Sequence, residues 1–161
     1  MRWADIHPRQ PFGLAILVLV VSAGCSGGNA LPDFVEHLAP AQGKVTMKGK
    51  PLEGAMVTFH PADPNSRAMA AYGNTDATGA YEMKTIAVGH GPQLGAVEGE
   101  YVVTISKIAM KDGSPIPPDM SDADAEAEGA REVIPPQYNR PERSQLKARV
   151  AKEAAQLDFS L

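Results

Sequence analysis

The chain has one cysteine, Cys25, and one tryptophan, Trp3, among 161 residues. A single thiol cannot close a disulfide within the chain, so the fold must hold by core packing alone. Bases are outnumbered by acids, 15 Lys plus Arg against 19 Asp plus Glu. That balance argues against a nucleic-acid partner, whose phosphate backbone demands a basic patch. Beyond the first residues the histidines are His37, His60 and His90. No two of them share the i, i+4 spacing that sets metal ligands on one helix face. No Gly-x-Ser-x-Gly nucleophile elbow occurs. The chain therefore nominates no catalytic residue, no metal ligand and no cofactor site.

What the chain does have is a signal-like start. Arg2 and Arg9 stand against one acid, Asp5, before an apolar run from Gly13 to Val21. A basic head, a short apolar core and small residues at the exit are the three parts of a secretory signal. The run falls short of the roughly 20 apolar residues that span a bilayer. Cys25 follows it directly, and exported chains seldom keep one odd cysteine without a use. Ser22-Ala23-Gly24-Cys25 resembles the bacterial lipobox, with Ser22 standing where the motif has Leu. The resemblance implies a diacylglyceryl group on the Cys25 sulfur and cleavage before Cys25. Ser26 follows in place of the Asp that marks inner-membrane retention in many Gram-negative bacteria. The expected address is thus the cell envelope, at the outer membrane.

Residues 1–24 are expected to leave as signal, and residues 25–40 to form the lipidated N-terminus and a flexible tether rich in Gly, Pro and Asn, in which Phe34, Val35 and Leu38 are suited to pack on the domain or to form one short helical turn. The remainder, 41–161, is long enough for one domain. Its pattern has period two. Val45 and Met47 alternate with Lys44, Thr46 and Lys48, and Val57 and Phe59 with Thr58 and His60. Tyr81 and Met83 alternate with Glu82 and Lys84, and Tyr101, Val103 and Ile105 with Val102, Thr104 and Ser106. Turn signals separate these runs: Lys48-Gly49-Lys50-Pro51, where Gly49 is free to take φ > 0, and Asp76-Ala77-Thr78-Gly79, suited to a type I turn. A weaker strand is read over Ala68–Thr75, and Val88–Gly95 reads as a glycine-rich loop. Short strands with frequent turns predict an all-β sandwich or barrel. His60 falls on the outward phase of its strand and reads as a surface imidazole.

Residues 108–134 break the rhythm. Pro115, Pro117 and Pro118 precede Asp119, Asp122, Asp124, Glu126 and Glu128, which are interleaved with alanine. Ser121 is suited to cap a short helix ending at Gly129. A calcium loop of the EF-hand type needs Gly at its sixth position, and counting from Asp122 that position is Ala127. The insert reads as a solvated acidic loop with little to bury. At the C-terminus two readings compete. Leu146, Val150, Ala154 and Leu157 fit one amphipathic helix, whereas Leu146, Ala148, Val150 and then Leu157, Phe159, Leu161 fit two strands.

A resemblance separates them. Gly43-Lys-Val, Gly49-Lys50-Pro51-Leu52-Glu53-Gly54-Ala55, Val57-Thr-Phe59-His-Pro61, Thr75-Asp76-Ala-Thr-Gly79-Ala-Tyr81 and Gly99-Glu100-Tyr101-Val102-Val103 resemble the carboxypeptidase regulatory-like, or transthyretin-like, domain. Small bacterial lipoproteins with one such domain also carry a segment like Ile134-Pro135-Pro136-Gln137-Tyr138-Asn139 before two final strands. The resemblance covers about Gly43 to Leu161. It implies a single Ig-like or transthyretin-like antiparallel β-sandwich of about seven strands, with strands at the end. Its motifs are turn and packing signals, informative about fold and not about activity. A purine-pathway hydrolase shares this architecture, but its final Tyr-Arg-Gly-Ser is absent here, where the chain ends Asp158-Phe159-Ser160-Leu161.

Three functional expectations follow. The first is a non-enzymatic envelope lipoprotein, bound to the membrane through Cys25 and contacting an envelope protein. The second is a cell-surface module for polysaccharide or another ligand. An enzyme is the third and has no nominated residues.

Overall fold

Alternating apolar residues need two faces, one wet and one packed, and the chain supplies both by folding as an all-β sandwich. The computed structural model describes residues 31–161. Cys25 and the expected signal segment, residues 1–24, lie outside the described residues. No helix among the described residues is long and apolar enough to cross a membrane.

The strands are short. A 3-10 turn (Asp33–His37) leads into β1 (Leu38–Ala39), β2 (Ala41–Met47), β3 (Lys50–Pro51) and β4 (Met56–Pro61). Next come β5 (Ala71–Asn74), β6 (Ala80–Glu82), β7 (Lys84–Ala87), β8 (Gly91–Leu94) and β9 (Ala96–Val97). Then follow β10 (Gly99–Ser106), β11 (Ile108–Ala109), α1 (Asp122–Ala127), β12 (Arg131–Glu132) and α2 (Pro136–Asn139). The chain closes with β13 (Lys147–Val150), β14 (Ala155–Gln156) and β15 (Phe159–Ser160).

One sheet has the order β13-β10-β4-β5-β7-β8, antiparallel throughout. The other is built around β2, which pairs with β3, β6, β14 and β15. The run Ala80–Ala87 serves both: β6 pairs with β2, and past Met83 β7 pairs with β5. Met83 at the crossing is fully buried, and its N–H donates to the Ala41 carbonyl. Between the sheets lie Val57 and Phe59 from β4, Tyr101, Val103 and Ile105 from β10, and Val45, Tyr81 and Phe159 from the β2 sheet. The Phe59 and Tyr101 rings are 5.4 Å apart and tilted by 40°, a geometry aromatic pairs favour. The period-two core residues are therefore where the sequence puts them.

Three expectations change. The antiparallel pattern holds in the larger sheet, but β14 and β15 run parallel to β2. Nearly the whole domain separates β2 from these strands, so no hairpin dictates their direction. The C-terminus, by contrast, is strand as the resemblance implies. The glycine-rich stretch Val88–Gly95 is not an open loop: it turns back on β7 as strand β8, with Ile86 opposite Pro92 and Lys84 opposite Leu94. The expected tether also ends early. Asp33–His37 forms a helical turn, and β1 pairs with β9, burying Ala39 in the core. Phe34, Val35 and Leu38 are partly buried.

The acidic insert, 108–134, has more structure than a solvated loop. Ile108 pairs with Glu132 and Ala109 with Arg131, closing its two ends as a ribbon. Ser121 caps α1 as expected: its Oγ accepts from the Asp124 N–H at 3.2 Å and donates to Asp124 Oδ2 at 2.6 Å. Ala109, Ala125 and Ile134 are buried. Small side chains suffice to bury a helix face when the helix lies close to a ribbon, which a count of large apolar residues overlooks.

Candidate functional site

Three surface features stand apart from the core. The first is the cleft in the insert, about 490 Å³. It lies between α1 and the β11–β12 ribbon, with the proline loop contributing Ile116. Asp122, Ala125 and Glu126 have i, i+3, i+4 spacing, so they share one face of α1. Buried Ala125 and exposed Ile108 give that cleft an apolar floor. Arg131 and Glu132 line the ribbon side. Glu132 Oε1 accepts from the Lys107 N–H at 3.0 Å and the Ile134 N–H at 2.8 Å, so this carboxylate braces the ribbon. Sequence reasoning singled out the acids of this segment and missed Ile108, Ile116 and Arg131. One isoleucine before the proline loop and one within it, in an otherwise polar insert, were the available signal.

The second feature is the β7–β8 hairpin at one edge of the larger sheet. Ile86 is 55%, Val88 89% and Leu94 62% exposed. The register places Ile86 opposite Pro92 and Lys84 opposite Leu94, so Ile86, Pro92 and Leu94 share one face with Lys84.

The third is a smaller hollow of about 400 Å³ at the N-terminal turn, lined by Asp33, Phe34, Glu36, His37 and Arg67. Arg67 Nη1 donates to His37 Nε2 at 2.8 Å.

The histidines do not meet. His37 sits at that turn and His90 in the β7–β8 turn. His60 is half-buried, with Nε2 2.9 Å from Thr104 Oγ1. Burial lowers the His60 pKa, against the nearby Glu142 carboxylate, which raises it. It lies on the outward phase of its strand, opposite Val102, as a half-buried imidazole tied to Thr104. Among the described residues, no three His, Cys, Asp or Glu side chains come together to hold a metal ion.

Two tyrosines are structural. Tyr81 Oη donates to the Leu157 carbonyl and Tyr101 Oη to the Val97 carbonyl. Burial pushes the Tyr101 hydroxyl up to about 12. Burial also raises Tyr81, with the Asp158 carboxylate adding to the effect. Both groups hold their protons more tightly folded than in an unfolded chain, where tyrosine ionises near about 10. Their contribution to stability is complete below that pH and is lost as pH rises through the folded values. The melting midpoint is therefore expected to fall steeply from about pH 10 to 12, and less steeply in Tyr101→Phe. Equal slopes in the two proteins would show that Tyr101 is not the linked group.

No family model matches the chain, and no curated protein matches it. Among solved structures, a 9R-lipoxygenase from Cyanothece is similar at 15% identity, covering 83% of this chain and 18% of its own, with a TM-score of 0.33. The chain spans less than a fifth of that protein's length, and a likeness this slight carries no argument about function.

Proposed function

We propose that the protein is an exported envelope lipoprotein, held to the outer membrane by acyl chains on Cys25, whose sandwich is a non-enzymatic protein-contact module. The observation that carries the contact reading is the exposed apolar side chains of the β7–β8 hairpin, Ile86, Val88 and Leu94. Apolar surface gathered on one edge is stabilised by a partner that removes it from water. Pro92 lies on the edge strand and has no N–H, so that edge is a poor template for strand addition. Contact through side chains fits it better. The anchor reading rests on the lipobox resemblance. Each buried CH₂ contributes about 0.8 kcal/mol, so two or more long acyl chains anchor stably. Seven residues, 26–32, separate Cys25 from the first helical turn, and an extended chain of that length spans at most about 25 Å. Anchored there, the domain would stay close to the membrane and meet partners at that level.

One experiment addresses both parts. A photo-crosslinking residue replaces Val88 in cells that carry the native sequence or Cys25→Ala. The native chain is expected in the detergent phase with discrete protein adducts. Cys25→Ala is expected in the aqueous phase with those adducts lost or much reduced. A native chain that partitions into the aqueous phase refutes the anchor. A membrane-bound chain with polysaccharide adducts alone favours the ligand-binding reading over the protein-contact one.

A further inference from the structure

The cleft between α1 and the β11–β12 ribbon has a volume within the range of ligand pockets. Its floor is apolar, from Ile108, Ile116 and Ala125. Its lining is unbalanced in charge: Asp122 and Glu126 stand on α1, Glu132 is held by the ribbon's backbone N–H groups, and Arg131 is the single cation of the lining. Asp122 and Glu126 are one turn apart on α1, where like charges repel. Neither forms an ion pair among the described residues, in which the one salt bridge joins Arg149 and Glu100. An apolar floor beneath uncompensated carboxylates selects against anions and is poorly matched to a purely apolar guest. A bare metal ion is also disfavoured, because no three ligand side chains come together among the described residues.

We propose that this cleft docks a cationic peptide segment of a partner protein. One lysine or arginine of that segment sits between Asp122 and Glu126, and a neighbouring aliphatic side chain lies on Ile108 and Ile116. Charge complementarity supplies orientation and encounter rate, and the apolar floor supplies the contact area. Arg131 opposes the ligand's charge, which limits affinity and favours a segment with one well-placed cation over a densely basic one. The inference depends on neither the lipid anchor nor the hairpin contact.

The test uses the full chain in a non-ionic detergent and fluorescence anisotropy, with detergent alone as blank. The probe is a fluorescent, acetylated and amidated hexapeptide alternating lysine and leucine; the comparison peptide has glutamate for lysine. Saturable binding of the lysine peptide is expected, with little binding of the glutamate peptide. Two exposed charge contacts are each worth a modest amount, so D122N/E126Q should weaken binding about fivefold. Arg131→Gln should tighten it, an effect in the opposite direction that damage to the fold would not produce. Glu53→Gln, an exposed acid outside the cleft, should leave binding unchanged. Equal binding of both peptides, no saturable binding, or indifference to D122N/E126Q overturns the proposal. So does displacement of the peptide by millimolar calcium chloride with a rise in melting midpoint, which would assign the carboxylates to a cation.

Discussion

Val103→Asp is expected to unfold the domain. Val103 is fully buried in the middle of β10 and lies opposite Phe59 of β4. Its backbone is also occupied: the N–H donates to the Leu146 carbonyl at 2.9 Å, and its carbonyl accepts from Ser144 Oγ. A carboxylate at this position would enter an apolar interior with no cation beside it. It would either stay charged at high cost or take up a proton, and both outcomes destabilise the fold. A loss of about 4 kcal/mol or more is expected, against a total stability of roughly 5–15 kcal/mol for an ordinary domain. The neighbouring Val102→Asp provides the contrast. Val102 points to the opposite face, is only partly buried and lies opposite Lys147 and His60. There the cost should be near 1 kcal/mol, mostly from lost strand preference. The measurement is thermal unfolding by far-UV circular dichroism of the chain from residue 26 onward. Similar melting midpoints for the two variants would mean that Val103 does not face the core.

That contrast rests on what was legible in the sequence. Val57, Phe59, Tyr101, Val103 and Ile105 were assigned to the core because period two marks a face, and all five are buried. The Ser121 cap was legible for a similar reason, since capping is local chemistry. Other features depend on pairing at a distance. Strand β8 is glycine-containing and carries a proline; only its pairing with β7 makes it a strand. At the C-terminus, Leu146, Val150, Ala154 and Leu157 satisfied a helix as well as strands, and β2 decides the matter by pairing with β14 and β15. The cleft is formed where Ile108 meets Glu132, residues whose proximity no local pattern announces. The reading of Cys25 as a lipid anchor comes from its place after the expected signal segment, and phase partitioning of Cys25→Ala tests it.

Gly43→Ala is expected to strip the C-terminal strands from the domain. Gly43 lies in β2, opposite Tyr81 of β6. The final strand segments approach the other side of β2: the Leu157 N–H donates to the Gln42 carbonyl at 2.8 Å, and the Lys44 N–H donates to Asp158 Oδ1 at 2.8 Å. A Cβ on Gly43 would lie 1.9 Å from the Leu157 carbonyl oxygen and 2.5 Å from its carbon. Both are backbone atoms, so no rotamer change relieves the clash. That same carbonyl accepts from the Tyr81 hydroxyl, so moving it also breaks a bond that holds a buried tyrosine. Phe159 would follow, since its ring is stacked on Tyr81 with centroids 6.3 Å apart. One methyl group thus disrupts a hydrogen bond, an aromatic pair and two parallel pairings. Overpacking of this kind costs about 3 kcal/mol or more where the backbone cannot relax. Gly49→Ala isolates the effect of the clash. Gly49 has φ +78°, and a Cβ there would meet nothing within 4 Å, so its cost is backbone strain alone, about 1–2 kcal/mol. Hydrogen exchange separates local from global loss. In the parent chain the amides of Leu157 and Leu161 are bonded to β2 carbonyls and should be protected. In Gly43→Ala they should exchange rapidly, together with a lowered melting midpoint, whereas Gly49→Ala should leave them protected. Retained protection in Gly43→Ala would mean that the C-terminal strands do not press on β2 at Gly43, and the parallel docking of the last strands would have to be redrawn.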